Sequence, residues 1–151
     1  MSLRKLSFVL LLSVVGLSAS AQYRHQAGIR LGSADQVVST GFTYRYHFNN
    51  GKAVEAILNL RDPIAFGALY EIFKPINAVP NLHWFYGGGA YVGFKGDDNL
   101  GIAGIAGLDY QFTDVPINLS IDWKPELNFI QSVRFRAATV AVSVRFSFIK
   151  K

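Results

Sequence analysis

The densest set of side chains able to do chemistry is Asp122, Lys124 and Glu126, within the stretch from Pro116 to Phe129. Two acids flanking an amine at alternate positions could divide acid–base work between groups of different pKa. The same spacing suits a ladder of mutually neutralising charges, and that is the reading adopted. The histidines lie in His25-Gln26-Ala27, His47-Phe48-Asn49 and His83-Trp84-Phe85. That is not the spacing of a metal site. Gly87-Gly88-Gly89 opens no helix, so it is not a phosphate loop. Gly96-Asp97-Asp98-Asn99 lacks the ligand count of a calcium loop and reads as a solvated turn. Cysteine is absent from the sequence, which removes thiol chemistry and disulfides together. The expectation is no catalytic residue, no cofactor and no metal.

The elements that position these groups follow from the period of the same stretch. Ile117, Leu119, Ile121, Trp123, Leu127 and Phe129 alternate with Asn118, Ser120, Asp122, Lys124, Glu126 and Asn128, and only Pro125 breaks the apolar series. Alternate side chains of a strand point to opposite faces, so one face is apolar and the other polar and charged. A soluble antiparallel sheet would turn the polar face to water. A membrane barrel would turn the apolar face to lipid and enclose the charges. This stretch alone fits both.

The first 21 residues read as a secretory signal. Arg4 and Lys5 precede the apolar run Leu6 to Leu17, and Ala19-Ser20-Ala21 supplies the cleavage pattern, leaving 22–151 as one domain. Cleavage lowers the net charge from +5 to +3, which is no nucleic-acid footprint. From Gln22 onward alternating segments and turns recur about every 16 residues, the spacing of membrane hairpins. Strands are predicted at 23–31, 37–48, 53–61, 66–74, 82–95, 101–112, 116–129 and 135–148. In the second, Val38, Thr40, Phe42, Tyr44, Tyr46 and Phe48 share the apolar face. Asn49-Asn50-Gly51 follows it as a tight hairpin turn.

By parity one face collects Arg24, Arg30, Arg45, Arg61, Lys95, Lys124 and Arg145 with Glu55, Glu71, Asp109, Asp122 and Glu126. Mixed charges of this kind can pair across a narrow lumen. The fifth strand mixes large side chains with Gly87, Gly89 and Gly93 on that face, as a strongly curved sheet requires. On the apolar face Tyr46 and Phe48, Trp84 and Tyr86, Tyr110 and Phe112, and Phe146 and Phe148 all fall at one end of the barrel. This one-ended rim reads as a girdle at a membrane interface. The predicted fold is all-β: an eight-stranded antiparallel up-and-down transmembrane β-barrel after a cleaved signal peptide. Eight strands leave a lumen that side chains can fill. A soluble exported lipocalin-like binding barrel is the physical alternative.

The chain from Gln22 onward resembles the small outer-membrane β-barrel proteins of the OmpX and OmpA-barrel type. The stretch INLSIDWKPELNF is similar to the penultimate strand of compact barrels from Bacteroidetes-like bacteria. Val144-Arg145-Phe146-Ser147-Phe148 resembles the terminal strand read by the barrel-assembly machinery, although Ile149-Lys150-Lys151 follow it. The resemblance implies an outer-membrane location in a Gram-negative cell, with periplasmic termini. The expected partners are outer-membrane lipid, lipopolysaccharide and, during insertion, the assembly machinery; the expected state is a monomer. The class includes lipid A deacylases and palmitoyltransferases, so a lipid-modifying enzyme or lipid transporter is the first alternative in function, ahead of the soluble binding barrel. The deacylase pattern needs His-x-Ser on one strand, and no histidine here has it. The expected role is therefore structural or general, with a filled lumen and no open pore. Arg134 and Arg136 fall by parity on the lipid side of the last strand, where they could contact lipopolysaccharide phosphates or snorkel to water.

Overall fold

The computed structural model describes residues 23–32, 38–48, 50–60, 64–94, 100–129, 133–136 and 140–150. The leader, Arg61 and Lys95 lie outside them. The strands are β1 (Tyr23–Gly32), β2 (Gly41–His47), β3 (Lys52–Asn59), β4 (Ala65–Pro75), β5 (Leu82–Gly93), β6 (Leu100–Gln111), β7 (Ile117–Trp123), β8 (Glu126–Asn128), β9 (Arg134–Arg136) and β10 (Val140–Lys150). Alternating β-branched and aromatic residues favour these strands, and short turns separate them. Gly51 takes a φ of 68° in the β2–β3 turn and Asn81 one of 65° in the β4–β5 turn. Both are left-handed conformations that Gly and Asn adopt most readily.

From β1 to β7 each strand pairs antiparallel with the next. Both β7 and β8 pair with β6, so they form one barrel strand interrupted at Lys124-Pro125. On its other side that strand meets β10 and β9, which together form the last one. The ring closes where β1 pairs with β10 from Tyr23↔Lys150 to Gly32↔Ala141. The result is a closed eight-stranded antiparallel barrel with both chain ends at one rim.

The wall has a dry, charged inside and an apolar outside. In β7, Leu119, Ile121 and Trp123 are 40, 48 and 48% exposed, whereas Asn118, Ser120 and Asp122 are 0, 2 and 3% exposed. The other strands repeat this division, with Ile29, Phe42, Val54, Phe66 and Val142 outward and Arg30, Thr43, Glu55, Leu69 and Ser143 inward. A continuous apolar exterior of this extent matches lipid, not water. The lipocalin-like alternative needs the opposite orientation of the two faces. The barrel is transmembrane.

Three local expectations are corrected. The second strand begins at Gly41, not at residue 37, and Val38 and Ser39 are buried instead of continuing the wall. Asn59 Oδ1 accepts hydrogen bonds from Ser39 N (3.3 Å) and Thr40 N (3.1 Å), replacing ladder bonds, and Val38 N reaches Glu126 Oε2 at 3.3 Å. The chain thus folds over the mouth remote from the termini. Next, the alternation changes phase in the last strand. Arg136 stands opposite Glu126 and Val140 opposite Trp123, so four steps on one side match three on the other. Parity carried back from β10 therefore fails at β9. Finally, aromatics are not confined to one rim: Phe42, Phe66, Phe94, Phe129 and Phe135 are exposed near the other. Tyr46, Tyr110 and the Trp84–Tyr86 stack do lie on the side of the termini.

Curvature rests on glycines that touch the neighbouring backbone. A Cβ on Gly89 would lie 1.8 Å from Ala68 O, and one on Gly87 1.9 Å from Tyr70 O, both on β4. Gly104 is different, with its nearest neighbour, Pro125 Cγ, at 3.6 Å. We expect Gly89→Ala to cost about 1–3 kcal/mol by forcing the β4–β5 seam apart. Gly104→Ala should be close to neutral. Denaturant titration of the detergent-refolded barrel, followed by Trp fluorescence, measures both.

Candidate functional site

Any site other than the wall must be built from what the eight inward faces bring together. The inward alternation places Arg45 of β2 directly opposite Glu55 of β3 in register. Glu71 of β4 stands one pair further toward the termini, opposite Ala53. Arg45 is the hub. Its Nε lies 2.9 Å from Glu71 Oε2, its Nη2 3.5 Å from Glu55 Oε2 and its Nη1 2.8 Å from Asp109 Oδ1. Asp109 belongs to β6, so this contact crosses the barrel from one side to the other. The guanidinium also sits 5.0 Å from the Phe73 ring centroid and 5.3 Å from that of Phe85. Aromatic faces stabilise a desolvated cation there.

Arg145 of β10 forms the second node. It pairs with Glu55 and donates to Ser120 Oγ (2.7 Å), Asn118 Oδ1 (3.3 Å) and Thr43 Oγ1 (3.3 Å). Thr43 Oγ1 in turn donates to Glu55, and Asn118 Nδ2 donates to Asp109 Oδ2 at 2.9 Å. Arg30 holds Asp122 bidentately at 2.5 and 2.7 Å. Lys124 Nζ donates to Glu126 Oε2 at 3.0 Å. Toward the termini, Gln26, Gln111 and Ser147 close a neutral ring, with Gln26 Nε2 to Gln111 Oε1 at 3.2 Å and Ser147 Oγ to Gln111 Oε1 at 2.8 Å. His47 Nε2 lies 3.0 Å from Gln26 Oε1 and so carries the proton in that bond. Burying this many charges is costly; short-range ion pairs offset it, and neutral hydrogen bonds add to them at Arg145, Glu55 and Asp109.

Of the predicted lumen charges, Arg30, Arg45, Glu55, Glu71, Asp109, Asp122, Lys124, Glu126 and Arg145 are buried inside the barrel. Arg24 is half-buried at the rim and its Nη1 donates to Tyr46 Oη at 3.4 Å. Arg61 and Lys95 lie outside the described residues, as do Gly96, Asp97, Asp98 and Asn99. The Asp122–Lys124–Glu126 row is split between partners: Asp122 goes to Arg30, and the other two pair together. His25 faces outward among Tyr44, Tyr46 and Phe148, not into the lumen. In the backbone register Arg134 stands opposite Asn128 and Arg136 opposite Glu126.

Sequence reasoning did not separate out the apolar half of the lumen. Ile57, Leu69, Phe73, Phe85, Tyr91 and Ile105 form a buried cluster with Val38. Their parity placed all but Val38 inside, but the weak alternation of the fourth strand hid a core within the lumen. Phe73 and Phe85 stack at 5.0 Å and meet Arg45, a pairing that linear spacing does not signal. Among the described residues no cluster of three or more His, Asp or Glu side chains is arranged for a metal.

No protein-family model matches the chain, and no curated protein does. The fold is similar to that of Neisserial surface protein A. The TM-score is 0.55 at 14% identity, over 85% of this chain and 99% of that one. At that identity the likeness is one of fold alone.

The network makes a pairwise prediction. Arg30→Met should cost about 3–5 kcal/mol, because it leaves Asp122 buried without its cation. Arg30→Met with Asp122→Leu should recover most of that loss. A double-mutant cycle in denaturant checks it.

Proposed function

We propose that the chain is a small integral protein of a Gram-negative outer membrane, with periplasmic termini, a structural or general membrane role and no conducting pore. The observation that carries this reading is the bridge from Arg45 to Asp109 across the full lumen. It is flanked by Arg145–Glu55 and by the Phe73–Phe85 stack. Side chains that meet across the axis, and satisfy one another there, leave ions no hydrated path. The likeness to a protein named as a surface protein supports an outer-membrane setting. Against lipid-modifying chemistry stand the positions of the histidines. His25 is hydrogen-bonded to Tyr44, His47 to Gln26, and His83 sits opposite Asp109 near the rim of the termini.

Two measurements test the proposal. Planar bilayers containing the purified barrel should show no steady unitary conductance; a reproducible open level would refute the closed lumen. Lipid A mass spectra from cells with and without the protein should coincide, and a reproducible modification tied to its presence would establish an enzyme instead.

A further inference from the structure

The outer wall carries a groove of about 450 Å³ across β1 to β4. Ala27 and Ala56 floor it, and Ile29, Phe42, Leu58 and Phe66 wall it toward the rim remote from the termini. The register explains the dent. Ala27, Tyr44, Ala56 and Ala68 form one outward row, and Ile29, Phe42, Leu58 and Phe66 form the next. Ala27 and Ala56 flank Tyr44 in the first row, and their short side chains beside the large second row leave a furrow in an otherwise filled apolar surface. Its volume is comparable to that of one lipid acyl chain.

The groove has a polar end. Tyr44 lines it, and the Tyr44 hydroxyl is hydrogen-bonded to His25 Nδ1. The His25 ring packs 4.9 Å from that of Tyr46, whose hydroxyl accepts from Arg24 Nη1 at 3.4 Å. One guanidinium, one imidazole and two phenols thus gather where the groove approaches the rim that carries the termini.

We propose that the groove and this cluster together bind one phospholipid, with an acyl chain along the alanine floor and the head-group phosphate on Arg24, His25 and Tyr44. The proposal rests on the outer-membrane reading only for the source of the lipid. Arg offers phosphate a planar fork, and phenol and imidazole complete a hydrogen-bonding set at head-group height. A second copy of the chain is a poorer occupant. A two-fold axis along the membrane normal would bring two Arg24 side chains together at one height, where like charges repel.

Native mass spectrometry of the detergent-purified barrel, titrated with phosphatidylglycerol, tests this. One retained lipid per barrel is expected, and diacylglycerol with the same chains should not be retained. Inorganic phosphate should compete weakly, because it lacks the chain. Arg24→Gln should weaken retention about tenfold, the scale of one charge-assisted hydrogen bond. Ala56→Phe, which fills the floor, should abolish it. Ala106→Phe puts the same ring on an exposed outward position of β6, two strands beyond the groove, and should change nothing. Equal retention by wild type, Arg24→Gln and Ala56→Phe would mean non-specific annular lipid and overturn the site. So would retention of diacylglycerol, or a dimer mass that Ala56→Phe removes. If Ala56→Phe loses heat-modifiable migration, Arg24→Gln decides alone. A wild-type chain that stays soluble without detergent defeats the membrane reading, an outcome distinct from a folded barrel that holds no lipid.

Discussion

The hydrogen-bonded seam between Tyr23–Gly32 and Val140–Lys150 is the contact on which everything else depends. Lipid offers no partner to a backbone N–H or C=O, so a sheet that spans it must close on itself. Closure at eight strands fixes a narrow bore, and the narrow bore decides which side chains can line it. Large residues face glycines across the seams: Arg145 opposite Gly28, Tyr91 opposite Gly67 and Gly101, and Asp122 opposite Gly107. Two large residues at every such pair would not fit. The glycine content of the inner face is therefore a packing requirement before it is a flexibility.

A bore sealed from water then dictates the electrostatics. Arg45, Arg145, Glu55, Glu71 and Asp109 cannot be solvated, so they must satisfy one another. Their arrangement also penalises errors in assembly. A one-residue slip of β2 would turn Arg45 and Thr43 toward lipid and carry Tyr44 and Tyr46 inward. It would break the bridges to Glu71 and Asp109 in the same step. An apolar lumen of equal volume would tolerate such a slip far better. Register specification is a physical use for charges whose net contribution to stability is small.

The fold was legible because a period of two survives in almost every strand. Parity alone sorted Asn118 to Asn128 and Gly41 to His47 into the faces observed. It failed where backbone geometry departs from an ideal strand. Val38 looks like the first outward residue of the second strand, yet Asn59 draws Ser39 and Thr40 out of the ladder and the chain turns inward. Phe135 looks inward when counted back from Val140, yet it is exposed, because the count crosses a one-residue change of register. The charged membership of the lumen was legible, whereas its pairing was not. Asp109 could have met any cation of that face, and only the barrel's diameter brings it to Arg45. Nothing in linear spacing separates the Phe-rich half of the lumen from the Arg-rich half, because both share one parity.

The two outward rims differ in a way that bears on how the barrel sits in its membrane. Trp84, Tyr86, Tyr46 and Tyr110 lie on the side of the termini, together with Arg24 and His25. Phe42, Phe66, Phe94, Phe129 and Phe135 mark the other side and carry no polar atom. Tyr and Trp are held at head-group level because one end of each ring system needs a hydrogen-bond partner. Phe has no such need and is content below that level. Tyr and Trp at the rim of the termini hold that side at head-group height, and with it the polar cluster at the end of the groove. Without that fixed height a groove on a lipid-facing surface would meet acyl chains but no particular head group.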